Sequence, residues 1–143
     1  MKPETLSKLD DQFARWPESR AQETPSVEEI QNAQKTLDCK FHEDYAEFLS
    51  RYGGGLVGSL PVYGLRPVEY MGNVWSVVEV TREFRADDWP GCEDWYVISE
   101  DGYGNPIGID QAGTVLSYNH DRGGLVKWAD DFESFLVHLL KGE

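Results

Sequence analysis

Cysteine is scarce in this chain. Cys39 and Cys92 are the only two, far apart and without framework spacing. That excludes a small disulfide-stapled scaffold, and both are expected as reduced, partly buried thiols. Positive charge is also in short supply: 13 Lys and Arg stand against 26 Asp and Glu, for a formal net charge of −13. Binding nucleic acid by counterion release needs a basic surface, as does adsorption to anionic lipid, so neither is expected as a partner. Long apolar runs are missing too. No segment approaches the ~18–20 residues that cross a bilayer, and Met1 to Asp11 carries charge every few residues instead of a secretory core. A cytoplasmic location is the resulting expectation. What the chain does have is 40% apolar and 13% aromatic residues, too many for a disordered acidic tail. Its 143 residues fit one domain.

Apolar spacing organises the chain. Leu6, Leu9, Phe13 and Trp16 form a helical stripe closed by Pro17, and the polar stretch Glu18 to Pro25 reads as a linker. Residues 1–25 are therefore expected as an N-terminal helix and linker ahead of a single domain at 26–143. Ser26-Val27-Glu28-Glu29 is a capping box, followed by Val27, Ile30, Ala33 and Leu37 on one helical face. Tyr45, Phe48, Leu49 and Tyr52 form the next stripe, stopped by Gly53-Gly54-Gly55. Leu56 to Leu65 has the texture of short strands and tight turns. Asn73 to Phe84 fits a helix through Val74, Val77, Val78 and Phe84, and Asp87 to Asp94 is a loop. Strands are expected at Trp95 to Ser99, Pro106 to Asp110, Thr114 to Tyr118 and Leu125 to Trp128, close enough for an antiparallel meander. Asp130 is expected to cap a last helix that buries Phe132, Phe135, Leu136 and Leu139. The fold class is α+β: a mostly antiparallel sheet with N-terminal helices and a C-terminal helix packed on one side.

The joints between these elements carry a resemblance. Ile30 to Leu37, then Phe41-His42-Glu43-Asp44-Tyr45-Ala46-Glu47-Phe48-Leu49, then Tyr52-Gly53-Gly54, resembles the SUKH superfamily, the Smi/Knr-type domain. Val62-Tyr63-Gly64-Leu65, the Trp95-to-Ser99 strand with Asp101-Gly102-x-Gly104-Asn105 after it, and a closing helix with Phe132 and Phe135-Leu136 are similar as well. Phe41-His42 replaces the usual Leu-Pro, and Tyr52 the usual Asn. The resemblance covers Ser26 to Leu140 and leaves the first helix outside. It implies a protein-binding scaffold with no shared catalytic apparatus: a bacterial immunity protein that neutralises a cognate toxin domain or, alternatively, a regulatory scaffold like the fungal cell-wall members.

Asp87, Asp88, Glu93, Asp94, Glu100 and Asp101 fall within fifteen positions, interleaved with Trp89, Trp95 and Tyr103. Acidic groups can steer and pair with a basic partner, and aromatics can anchor an interface. These nine residues are the expected contact set for a basic, nuclease-type toxin. Each aromatic has a competing place in the core. Asp101-Gly102-Tyr103-Gly104-Asn105 precedes a strand rather than a helix, so it reads as a hairpin turn and not a phosphate loop. Cys39-x-x-His42 has the spacing of half a zinc site, but Cys92, His120 and His138 supply no second pair. The same thiol and imidazole could form a nucleophilic dyad, but no nucleophile, base and oxyanion donor assemble into a complete catalytic set. No cofactor, metal or enzymatic activity is expected.

Overall fold

Short polar side chains meet the free first-turn amides and start the helices. The computed structural model describes residues 1–142, and Glu143, the last position of the 26–143 span, lies outside the described residues. Ser26 accepts from the Glu29 amide while the Glu29 carboxylate reaches back, opening α2 (Val27–Leu37). Ser76 caps α4 (Val77–Ala86) through the Glu79 amide at 3.2 Å. Pro3 needs no amide partner in the first turn of α1 (Pro3–Arg15). The cap of α5 (Phe132–Leu140) is Asp131, which accepts from the Ser134 amide at 2.7 Å, and not Asp130 as expected. The preceding strand runs on to Ala129, so the chain turns one residue later and Asp130 pairs with Lys127. His42 precedes α3 (Glu43–Tyr52) without a side-chain cap, because its ring is engaged elsewhere.

Three stripe assignments are corrected at their ends. Trp16 is 55% exposed, since the helix stops at Arg15 and Trp16 leaves the helical path. Val27 sits in the first turn of α2 and points to solvent. Val74 lies in the turn before α4 and is exposed, so only Val77, Val80 and Thr81 of that segment are buried in the helix.

The strands form two antiparallel sheets, and the architecture is α+β. β1 (Gly55–Val57) and β2 (Leu60–Val62) make a hairpin. β3 (Tyr96–Glu100), β4 (Pro106–Ile109), β5 (Val115–Asn119) and β6 (Gly124–Ala129) follow one another as a meander. The register aligns Tyr96, Ile109, Val115 and Ala129 on one face, all buried. Aromatic rings of α3 and α5 fill that side: Tyr45 meets Tyr96 at 5.3 Å and Phe132 at 5.2 Å, and Phe135 meets Trp128 at 5.8 Å. Loop residues cover part of the other face, Trp95 over Gly108 and Trp89 against Tyr118. Leu9 and Phe13 of α1 belong to the same core. The Gln12 side chain clips the first hairpin, donating to the Leu56 carbonyl and accepting from the Gly58 amide. The 1–25 segment therefore packs directly against the body that follows it.

Two close fits hold β3 in place. Gly64 crosses the end of α3 so tightly that a Cβ there would sit 2.0 Å from the Gly53 carbonyl oxygen. From that crossing the Gly64 carbonyl accepts from the Val77 amide, tying α3 to the start of α4. The outer edge of β3 is closed rather than solvated: Tyr63 donates to the Ile98 carbonyl, and the Val97 amide donates to the fully buried Thr81 hydroxyl at 2.8 Å. An isosteric Thr81→Val substitution leaves that amide buried without an acceptor. It is expected to lower unfolding free energy by about 1–3 kcal/mol, read from urea denaturation; an unchanged midpoint would show that the edge does not depend on this bond.

Candidate functional site

The site begins where α2 gives way to α3. Asp38 ends α2 in the left-handed region (φ 51°), which aspartate tolerates better than most residues. The Gln34 side chain then accepts from the Phe41 amide at 2.7 Å, and the Phe41 ring enters the core against Tyr45 and Tyr96. This fixes His42 beside β3. Its Nε2 lies 3.0 Å from the Gln111 carbonyl oxygen, which can only accept, so Nε2 carries the proton. Nδ1 is then left to accept from the Tyr96 hydroxyl at 2.7 Å, while that oxygen accepts from the His42 amide at 3.0 Å. Burial pushes the Tyr96 phenol far above its ordinary range, so it stays a neutral donor. Both ring nitrogens of His42 are thereby committed, and neither serves Cys39 as a base or a metal as a ligand.

The second wall is the loop after α4. Asp88 takes a left-handed conformation (φ 56°), and Gly91 (φ 87°) lies so close over the Trp95 ring that a Cβ would meet it at 2.6 Å. Arg85 ties this loop down. Its Nε donates to the Cys92 carbonyl at 2.8 Å, Nη1 to Leu37 at 2.7 Å and Nη2 to Trp95 at 2.9 Å. The end of α2, the loop and the start of β3 thus share one guanidinium. Cys39 and Cys92 flank it as free thiols. Burial raises both, Cys92 to about 11, so they are protonated and unreactive at neutral pH.

Between these walls and the β4–β5 turn lies a groove of about 550 Å³. Asp38, Glu43, Glu93, Asp94 and Asp110 line it, with Lys40 as the one lysine or arginine. Glu93 and Asp94 belong to the expected contact set. Asp38, Glu43 and Asp110 do not: the first two flank the α2–α3 connection and the third ends β4, and no local pattern announces that they converge with Glu93 and Asp94. Asp110 is partly spent on the turn, accepting from the Ala112 and Thr114 amides at 3.0 Å each.

The rest of the expected set is divided. Asp87 and Asp88 are exposed just after α4. Trp89 is half-buried, edge-on to Phe84 and close to Tyr118 and His120. Trp95 is only 3% exposed and belongs to the core. Glu100 ends β3 and Asp101 and Tyr103 lie just past it, a five-residue strand away from Asp94 or about 16 Å at the usual rise. Asp101 locks its turn, accepting from the Tyr103 and Asn105 amides and from the Asn105 side chain. Burial would raise its carboxyl, but these bonds hold it below the usual range. Asn105 in turn accepts from the His120 amide at 3.0 Å. Tyr103 stands at the tip, 81% exposed. Glu100 is half-buried beside Tyr63, and burial, with Glu83 and Asp101 nearby, raises its carboxyl. His138 lies exposed in the last turn of α5.

A family model described as SMI1-KNR4 cell-wall matches residues 4–141. No curated protein matches the chain significantly.

Two substitutions probe this arrangement. Arg85→Lys keeps the charge but cannot span three carbonyls, so stability should fall by about 2–3 kcal/mol. Hydrogen exchange at the 87–95 amides should accelerate more than elsewhere; uniform acceleration would mean that Arg85 does not hold the loop in particular. Glu100→Gln should act in the opposite direction. A carboxyl raised by burial is penalised as an anion, fully at neutral pH and less as the pH falls through its raised folded value. The variant should therefore melt higher than the natural chain at pH 7 and lose that advantage in acid, as followed by thermal melts across pH.

Proposed function

The chain belongs to the SMI1-KNR4 family, and from that premise we propose that it is an immunity-type protein that binds a cognate toxin domain and blocks it stoichiometrically. The observation that carries this reading is the groove between α2, the 87–95 loop and the β4–β5 turn, where five carboxylates face solvent with a single lysine. A nuclease-type toxin presents cations to its nucleic-acid substrate, and such a surface is the electrostatic counterpart of this groove. Asp87 and Asp88 extend the negative field beside it, with Trp89 partly open at the same loop. Tyr103, with Glu100 and Asp101, offers a second contact at the far end of β3 for a partner long enough to span both. The protein acts by occupancy in the cytoplasm, and no substrate is turned over.

A regulatory scaffold without a toxin partner is the second reading, favoured by the cell-wall description of the matching family. The two differ in the number and strength of partners. On the first reading a toxin-like domain is encoded beside this gene; it should kill cells alone, spare them when this chain is co-expressed, and form a one-to-one complex with it. Glu93→Lys with Asp94→Lys should slow association at low salt by about tenfold or more and flatten its salt dependence, with thermal stability preserved. Failure of rescue together with several weak partners would favour the scaffold. Unchanged association by the charge-reversed protein would remove the groove from the interface.

A further inference from the structure

The loop between α4 and β3 lies over part of the outer face of the four-stranded sheet. Trp95 sits on Gly108 of β4, and Trp89 stands edge-on to Tyr118 of β5 at 6.1 Å. Next to them on β6, Leu125 pairs across the ladder with Tyr118, so both side chains point to this face. Leu125 is nevertheless 62% exposed, and Tyr118 and Leu116 beside it are half-buried. The result is an apolar shelf. Leu116, Tyr118 and Leu125 floor it, and the Trp89 ring backs it, braced by Phe84 at 5.3 Å.

The loop behind the shelf is charged out of proportion to the chain. Residues 86–95 hold four carboxylates, Asp87, Asp88, Glu93 and Asp94, and no lysine or arginine: −4 over ten residues, against −13 over 143. All four are exposed. On the β6 side Lys127 is held by Asp130, and Asp121 offsets Arg122, so the loop sets the sign of the field.

We propose that the shelf is the apolar centre of the interface with the cognate toxin domain, and that it takes an apolar side chain flanked by lysine or arginine. This rests on the immunity-type reading and adds a division of labour to it. The groove carboxylates act at a distance and set how fast the partner arrives. The shelf acts on contact and sets how long the partner stays, as desolvated anchors do. One loop serves both: Glu93 and Asp94 line the groove, while Trp89 backs the shelf. The charge selects the occupant. An acidic partner meets four carboxylates, and a second copy seated shelf on shelf would bring two such loops together.

Leu125 and Val126 supply the test, because they are consecutive, both exposed, and point to opposite faces of the sheet. The first probe is the end-capped peptide Lys-Lys-Leu-Lys-Lys, followed by amide NMR shifts of the full chain. Saturable shifts are expected at Leu116, Tyr118 and Leu125, lost in Leu125→Asn and kept in Val126→Asn. The peptide Glu-Glu-Leu-Glu-Glu should leave these amides unmoved. Absent shifts, shifts confined to the groove, or equal shifts with the acidic peptide overturn the proposal. Shifts at the same amides on concentrating the chain alone overturn it too and assign the shelf to a second copy. With the toxin domain recovered by rescue, Leu125→Asn should speed dissociation about tenfold or more and leave association unchanged. Rescue with an unchanged dissociation rate removes the shelf from the interface and leaves the immunity reading standing. Failed rescue with the lysine peptide still seated overturns the toxin as occupant, while the preference for a cation-flanked apolar group stands.

Discussion

One guanidinium organises the functional end of this molecule. Arg85 leaves α4 and donates to three carbonyls: that of Leu37 at the end of α2, that of Cys92 in the acidic loop and that of Trp95 just before β3. Leu37 is among the carbonyls that an α-helix leaves unpaired at its C-terminus, and the other two lie where neither helix nor ladder supplies a partner. A half-buried cation with planar, divergent donors satisfies all three at once. The loop's own bonds are short-range turns around Gly91, so the position of Glu93 and Asp94 relative to Asp38 is set by Arg85 more than by anything within the loop.

The aromatic centre fixes the opposite wall. Phe41, Tyr96, Tyr45 and Phe132 touch in that order, and the Tyr45 hydroxyl donates to the Tyr63 carbonyl at 2.6 Å. Tyr96 belongs to both worlds: its ring is packed in the core and its hydroxyl holds His42 at the groove. The replacement of the usual Leu-Pro by Phe41-His42 therefore has a local logic. Phe41 supplies the apolar anchor, and His42 supplies two ring contacts that a proline cannot make. Disturbing the core beneath Tyr96 would shift the groove without touching a carboxylate.

Helices and strands were legible because their determinants are local. Ser26 and Glu29 state the start of α2 in four residues, and the spacing of Tyr45, Phe48, Leu49 and Tyr52 states which side of α3 is buried. Element ends were less legible, as with Trp16 and Asp130, because a single residue of overrun by a strand or an early helix stop changes them. The groove was only half legible. Glu93 and Asp94 are conspicuous in sequence, but Asp38, Glu43 and Asp110 become their neighbours only through tertiary packing. The run from Asp87 to Tyr103 looks continuous on paper, yet β3 passes through its middle and carries its second half to the other end of the sheet. Trp95 is drawn inward by the bare backbone of Gly91 and Gly108, a fit that residue order does not display.

The packing of α5 has a bearing on when the protein becomes itself. Phe132 sits edge-on to both Tyr45 and Phe48, and the same helix packs on α1, the first element of the chain. Since α5 follows α3 only after both sheets, the Tyr45 and Phe48 rings lack the edge-on cover of Phe132 until that later stretch has been synthesised. The early helices can form as they emerge, but they cannot close over one another. Closure of this core therefore waits on α5, and until that helix arrives the nascent chain presents an aromatic surface to chaperones.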